Sequence, residues 1–493
     1  MAEFTTSSGL GIFMKKILLG SVALIALGSA ANAADLSARY TKAPVVAPVS
    51  NWTGFYVSGG FGYGIMEADQ HATTSGVASV VDTRMGGRGY FGTVGVGYDY
   101  QITPSWVVGV FGDAQWGDIR GSLMDLNNGI TARLKNDAAY AAGARLGYLV
   151  APNVLSYVNV GYSYASFKGT TFDDGVSTIG KSHRDGWFIG GGVENDLNFF
   201  GINAPGWFMK TEYRVAEYNR RNSVYAGDID GIAFKPYVQT VSTSLVYRFN
   251  SQVRPGAQAG TPFYTKAARS PAYNWTGFYL AGGGGYGMFS ADQRSVDTTT
   301  GAITGIDTRN GGRGYFGTIA GGYDWQINPT WVVGVFGDAQ FGDIRGSLSD
   351  AGLGVTGRLK NDTNYAAGVR VGYLIAPNAL SYVNGGYSHA DFKGVTLTDE
   401  TGLAVGSTGK SHRDGWFIGG GVENDLNFFG INAPGWFMKT EYRVAEYSRK
   451  TSALYDAAGT LTTDGIAFKP YVQTVQTSLV YRFNWGSPVV AKY

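Results

Sequence analysis

The feature that most constrains the fold is a long stretch that occurs twice without change. Residues 181–218, KSHRDGWFIGGGVENDLNFFGINAPGWFMKTEYRVAEY, return letter for letter as residues 410–447. In the first copy, one face carries Trp187, Ile189 and Val193, and the other carries Phe188, Gly190, Gly192 and Glu194. Successive side chains of a β-strand point to opposite faces, so this period of two predicts strands with one apolar and one charged face.

The start of the chain helps to choose between a soluble sheet and a membrane barrel. A soluble sheet would bury the apolar face, whereas a membrane β-barrel turns it to lipid and turns the charged face to its lumen. Met14-Lys15-Lys16 precedes an apolar run at 17–27 and then Ala31 and Ala33, which predicts a secretory signal peptide cleaved after Ala33. No other run reaches the ~20 apolar residues of a membrane helix. An exported protein that meets a bilayer must then cross it with strands, which predicts the outer membrane of a Gram-negative cell.

The composition agrees with strands and excludes several classes of function. Charged residues make up 15% of the chain, below the roughly 25% of globular domains, and there are 75 glycines and no cysteine. The absence of cysteine excludes a disulfide framework and a thiolate metal site. A net charge of +2 gives no reason to expect a nucleic-acid partner.

Further matched blocks show that a whole domain is duplicated. Asn-Trp-Thr-Gly-Phe-Tyr occurs at 51–56 and 274–279, and Ser-Leu-Val-Tyr-Arg-Phe-Asn occurs at 244–250 and 478–484. Such a unit is far longer than the ~20–50 residues of a solenoid repeat. The predicted organisation is an upstream segment plus signal peptide (1–33), a periplasmic N-terminal tail (34–50), a first β-barrel repeat (51–250), a periplasmic linker (251–273), a second β-barrel repeat (274–484) and a C-terminal tail (485–493).

Within the first repeat, alternating segments are predicted at 51–66, 88–101, 105–117, 138–150, 154–167, 186–200, 206–218 and 233–249. Each reaches the ~9–11 residues of a membrane-spanning strand. Short turns such as 102–104 and 151–153 alternate with long polar loops such as 67–87 and 118–137, as in outer-membrane barrels. We predict an all-β fold of two tandem eight-stranded antiparallel transmembrane β-barrels. The alternative is one sixteen-stranded porin-like barrel with a water-filled lumen.

These residues resemble a known family. Asn51–Tyr56 after a Pro-rich tail, the terminal Tyr-Arg-Phe-Asn-Trp and the closing residues 488–493 are similar to the small outer-membrane β-barrels of alphaproteobacteria, the opacity-type or OmpA-like immunogenic porin family, here as a tandem duplicate. The resemblance implies one eight-stranded barrel per copy and exposed loops, with haemin binding or adhesion in some members. The residues 246–249 and 480–483 resemble the signal that the barrel-assembly machinery reads during insertion.

Strand phase places a set of charges inside each barrel. An eight-stranded barrel is only wide enough for its own side chains, so these charges must pair with one another. We expect a salt-bridge network that plugs the lumen; an ion-conducting constriction and a catalytic carboxylate pair are the alternatives. The predicted lumen residues are Asp99, Asp113, Arg145, Glu194, Asp196, Lys210, Glu212, Arg214 and Arg248, with Asp324, Asp338, Arg370, Glu423, Asp425, Lys439, Glu441, Arg443 and Arg482 in the second repeat.

Other motifs predict little chemistry. Residues 87–92 match G-x-G-x-x-G but enter a strand, whereas a dinucleotide site needs that motif to open a helix. His183 and His412, the matched histidines of the duplicated stretch, are predicted to lie in loops, where the family resemblance allows them to ligate haem iron. No catalytic residues, metal ligands or cofactor-binding residues are predicted.

Three functions remain open. The first is an integral outer-membrane protein with a structural role in the envelope and exposed loops, and it is not an enzyme. The second is a passive porin for small hydrophilic solutes, and the third is a haem-binding protein or an adhesin. The expected partners are outer-membrane lipid and lipopolysaccharide, the barrel-assembly machinery, and a host or haem ligand at the loops.

Overall fold

The computed structural model describes residues 51–151, 153–197, 202–249, 274–305, 307–426 and 431–483. The predicted signal peptide with Ala31 and Ala33, the N-terminal tail, the linker and the C-terminal tail lie outside the described residues. Among the described residues, no helix is long and apolar enough to span a membrane.

Nearly all of the described chain is antiparallel strand. The strands of the first repeat are β1 (Gly54–Thr74), β2 (Val77–Ala78), β3 (Thr83–Gln101), β4 (Trp106–Asp125), β5 (Ile130–Ala151), β6 (Val154–Phe167), β7 (Thr170–Thr171), β8 (Thr178–Ile179), β9 (Ser182–Asp196), β10 (Trp207–Tyr218), β11 (Arg221–Val224) and β12 (Gly231–Arg248).

The second repeat follows the same order. Its strands are β13 (Gly277–Asp297), β14 (Thr308–Gln326), β15 (Trp331–Asp350), β16 (Val355–Ala376), β17 (Ala379–Phe392), β18 (Val395–Thr398), β19 (Ala404–Thr408), β20 (Ser411–Asp425), β21 (Trp436–Tyr447), β22 (Lys450–Asp456) and β23 (Leu461–Arg482).

The long strands of each repeat pair in sequence and return to their own first strand. In the first repeat the pairs run β1–β3–β4–β5–β6–β9–β10–β12 and back to β1, where Tyr56 lies opposite both Gly97 and Arg248. In the second they run β13–β14–β15–β16–β17–β20–β21–β23 and back to β13. We call these the first and second rings. A pair between Met85 of β3 and Asn310 of β14 joins the two.

The short turn between β9 and β10 shows how local sequence sets these hairpins. Trp207 donates its N–H to the carbonyl of Ala204 at 3.1 Å, and Gly206 has a φ of 85°. Pro at the second position and glycine with positive φ at the third are what a type II turn requires. Gly435 repeats this geometry in the second ring with a φ of 82°.

The face that carries the apolar residues changes along the strands, and in β5 the change occurs at a β-bulge between Asn136 and Ala138. Near its short-turn end, Arg145 is 4% exposed on the inner face and Leu146 is 43% exposed on the outer face. Nearer the loop end, Leu134 is buried inside while Arg133 is exposed. The part near the short turns, here called the lower part, therefore has the pattern of a membrane barrel, with apolar residues outside. The part near the loops, the upper part, has the pattern of a soluble barrel, with apolar residues inside.

The long loops predicted at 67–87 and 118–137 are therefore wrong in part. β1 continues to Thr74, β3 begins at Thr83, β4 continues to Asp125 and β5 begins at Ile130. Polar outer residues made these hairpins look like loops. Inside, they enclose an apolar cluster, here called the cap, which includes Met66, Ile119, Leu123, Leu134, Phe167, Ile232 and Phe234.

Candidate functional site

The interior of the first ring holds a closed square of charges. Arg145 of β5 donates from Nε to Asp99 at 2.9 Å and from Nη1 to Glu194 at 3.2 Å. Arg248 donates from Nε to Glu194 at 2.7 Å and its Nη1 lies 2.8 Å from Asp99. All four residues are buried, so two acids and two bases neutralise one another away from water.

The second ring repeats the square with the same geometry. Arg370 donates from Nε to Asp324 at 2.8 Å and from Nη1 to Glu423 at 3.0 Å. Arg482 donates from Nε to Glu423 at 2.8 Å, and its Nη2 lies 2.8 Å from Asp324.

A second charge cluster lies on β4 and β10 of the first ring. Arg214 donates to both oxygens of Asp113, at 3.1 and 2.7 Å, and its Nη2 also donates to Glu212 at 2.8 Å. The hydroxyl of Tyr157 and the amide of Asn159 donate to the other oxygen of Glu212, at 2.8 and 2.9 Å. The bidentate pair fixes the guanidinium plane as well as its charge.

The equivalent cluster of the second ring has Arg443 at its centre. Arg443 donates to Asp338 at 3.0 and 2.7 Å and to Glu441 at 2.8 Å. Tyr382 donates its hydroxyl to Glu441 at 2.8 Å.

The remaining predicted lumen residues lie near these clusters. Asp196 accepts a hydrogen bond from Asn153 at 2.7 Å, and Asp425 accepts one from Asn378 at 3.0 Å. In the strand register, Lys210 lies opposite Glu194 and Lys439 lies opposite Glu423.

Aromatic rings fill the space between the charges. The guanidinium of Arg248 lies 4.3 Å from the ring centroid of Trp52, and that of Arg145 lies 4.5 Å from the ring of Tyr56. In the second ring, a cavity between Asp338, Arg443 and Tyr447 has a volume of about 10 Å³. A cavity of this size has room for about one water molecule.

The two matched histidines lie on strands, so their prediction in loops is wrong. His183 is the second residue of β9 and stacks on Tyr164 with 5.3 Å between ring centroids. His412 is the second residue of β20, and its Nδ1 lies 2.5 Å from Asp391. They lie on different rings, both at the loop end. Haem binding through them stays a prediction.

The structure also brings together a cluster of side chains of metal-binding types that the sequence analysis did not single out. His389, Asp391 and His412 lie side by side on the outer face of β17 and β20. His389 and Asp391 are two residues apart on β17, whereas His412 follows 21 residues after Asp391, and only the register of the two strands places Asp391 opposite His412.

A second missed feature is a charged face between the two rings. Arg88, inside the G-x-G-x-x-G stretch, donates to Asp292 of the second ring at 3.0 Å. Its counterpart Arg313 donates to Glu67 of the first ring at 2.8 Å and to Asp69 at 2.5 Å. The side chains of these pairs are between 0% and 25% exposed, so the pairs are largely shielded from solvent.

The other contacts of this inter-repeat face also occur in matched pairs. Arg84 donates its backbone N–H to Ser347 at 2.8 Å, and Arg309 donates its own to Ser122 at 3.0 Å. A Cβ on Gly86 would lie 2.5 Å from the carbonyl oxygen of Asn310. A Cβ on its counterpart Gly311 would lie 3.0 Å from the Cα of Gly86, so the two rings approach closely at the glycines that immediately precede the two G-x-G-x-x-G stretches.

Comparisons with known proteins agree with this architecture. The family model described as the outer membrane protein beta-barrel domain matches residues 20–249 and again 256–483. The 31 kDa outer-membrane immunogenic proteins of Brucella melitensis biotype 1 and Brucella suis biovar 1 are each 27% identical over 253 residues, which is 48% of this chain and 100% of those proteins.

Among solved structures, the Pseudomonas aeruginosa FadL homologue is 10% identical with a TM-score of 0.27, and the match covers 87% of this chain and 91% of that one. Ail of Yersinia pestis is 13% identical with a TM-score of 0.19, covering 38% of this chain and 99% of that one. The family model covers most of the chain in two consecutive copies. The chain is a protein of the cell outer membrane and belongs to the outer membrane protein β-barrel domain family.

Proposed function

We propose that the protein has a structural role in the envelope, as two sealed barrels in tandem that display their loop-side hairpins outside the cell. The observation that carries this proposal is the charge square of Asp99, Arg145, Glu194 and Arg248, repeated in the second ring. Charges that neutralise one another and are packed among aromatic rings leave no lumen for a solute.

The outer surface supports the expected lipid partners. Val110, Val158 and Ile189 are each more than half exposed on the lower part of the first ring. A row of exposed apolar side chains of this kind suits acyl chains rather than water. Phe249 and Phe483, near the ends of the two repeats, are 54% and 55% exposed, where the assembly machinery would read them.

The turns of the loop end offer an ordered surface to the outside. In the loop between β7 and β8, the hydroxyl of Ser177 donates to Asp174 at 2.6 Å and the N–H of Val176 donates at 3.0 Å. These hydrogen bonds stabilise the carboxylate and hold the pKa of Asp174 below its usual range. A host or haem ligand would meet this surface first.

Conductance across a planar bilayer tests the sealed-barrel proposal. We expect the refolded chain to insert without large, stable current steps. The double variant Arg145→Ala/Arg370→Ala, which removes one arginine from each square, is expected to show more frequent openings, whereas Arg120→Ala, on the exposed outer face, should match the wild type. Large, stable steps from the wild-type protein would contradict the proposal and favour a porin.

A further inference from the structure

The outer face of the second ring carries three metal-binding side chains at its loop end. The ligand atoms of His389, Asp391 and His412 all lie within 4.8 Å of one another. Nε2 of His389 and Nδ1 of His412 lie 3.2 and 2.5 Å from the same Asp391 oxygen. The two imidazole planes are inclined by only 19°, with 6.0 Å between their centroids. Two nitrogens and a carboxylate oxygen therefore converge on one point.

A fourth residue holds one of these ligands in position. Nδ1 of His389 lies 2.8 Å from Asp414, and Asp414 also accepts a hydrogen bond from the hydroxyl of Tyr387 at 2.6 Å. A carboxylate on one ring nitrogen of a histidine fixes the ring orientation and leaves the other nitrogen to bind the metal. Here the free nitrogen is Nε2, which faces Asp391.

The first ring provides an internal comparison. Residues 156–167 read SYVNVGYSYASF and residues 381–392 read SYVNGGYSHADF, so only three positions differ. Two of the three replace Tyr164 and Ser166 by His389 and Asp391. The strands that face them, β9 and β20, are identical in sequence. The difference at His183 therefore comes from Tyr164 and Ser166, and His183 stacks on Tyr164.

We propose that His389, Asp391 and His412 bind one divalent transition-metal ion, with zinc as the preferred ion. Imidazole nitrogens suit zinc, copper and nickel, and two histidines with one carboxylate leave a coordination position for water. The side chains of His389, Asp391 and His412 are 28%, 29% and 61% exposed, so an ion can reach them from solvent. The site does not depend on the structural role proposed above.

Isothermal titration of the refolded, tag-free full chain in detergent with zinc chloride tests the site, after treatment with a chelator. We expect one ion per chain. The variant His389→Tyr/Asp391→Ser carries the residues of the first ring and is expected to bind at least ~100-fold more weakly. Asp414→Asn, which removes only the orienting carboxylate, should weaken binding about 10-fold.

The mirror variant Tyr164→His/Ser166→Asp builds the same three ligands beside His183, and it should raise the stoichiometry from one to two. Heat-modifiable migration on gels verifies that each variant is folded. Wild-type protein that binds zinc no more tightly than His389→Tyr/Asp391→Ser would overturn the proposal.

Discussion

The loss of Arg145 should be damaging to the first ring, because this residue holds two carboxylates at once. Its guanidinium contacts both Asp99 and Glu194, and all three side chains are nearly inaccessible to solvent. A buried pair contributes little net stability compared with an apolar packing, but removing one partner leaves uncompensated charge.

Arg145→Ala should therefore lower the free energy of unfolding by about 3–5 kcal/mol. Arg120→Ala is the matched control, because Arg120 pairs with Asp118 on the surface, where both side chains are about half exposed. Such a pair is worth about 0–1 kcal/mol. Urea unfolding in lipid vesicles, followed by tryptophan fluorescence, measures both. Equal effects of the two variants would show that Arg145 is not in a sealed interior.

At the scale of residues, the sequence predicts the features that depend only on the alternation of side chains along a strand. The period of two placed Asp113 and Arg214 on one face without any knowledge of their partners. The metal-binding cluster could not be found in this way, because His389 and His412 become neighbours only through the register of β17 and β20. Register depends on hairpin geometry and packing, neither of which is visible in one strand.

At the scale of strands, the cap explains why the predicted segments are too short. Within the membrane, the apolar residues of a strand face outward, and beyond the membrane they face inward. The two parts of a single strand therefore carry their apolar residues on opposite faces. Leu123 shows the consequence: it lies in a predicted loop, yet it is 0% exposed within the cap. This segment of β4 looks like a polar loop in the sequence because its outer face meets water or the other ring.

Leu123→Ala distinguishes a polar loop from a strand that encloses the cap. In a packed interior, removing a leucine side chain should lower the free energy of unfolding by about 2–5 kcal/mol. Leu348→Ala, at the equivalent buried position of the second ring, should give a similar loss. The control Val80→Ala, at a residue that is 85% exposed, should change it by less than about 0.5 kcal/mol. A similarly small change for Leu123→Ala would contradict the cap.

At the scale of the whole molecule, the inter-repeat face relates the two rings by an approximate two-fold axis. Arg88 with Asp292 matches Arg313 with Asp69, and the guanidiniums of Arg88 and Arg313 lie 3.7 and 3.5 Å from the ring centroids of Tyr471 and Tyr237. An interface in which the same patch is used twice is that of a symmetric dimer. Duplication in one chain keeps the two patches at high local concentration.

This face predicts how the protein behaves after it is cut between the repeats. With a protease site inserted between residues 251 and 273, the two halves should each stay heat-modifiable, because each closes on its own first strand. In mild detergent they should also migrate together on size exclusion. Arg88→Glu/Arg313→Glu should raise their dissociation constant more than about 10-fold, since each change places a second acid against a carboxylate that is largely shielded from solvent.

The control Arg120→Glu/Arg345→Glu reverses two arginines that are about half exposed and should leave the halves associated. Salt should have little effect on the wild-type association, because shielded pairs are screened less than exposed ones. Halves that lose their fold on cleavage would contradict two independent barrels and favour one sixteen-stranded barrel. Folded wild-type halves that separate would instead contradict the interface alone, because ring closure and ring association depend on different contacts.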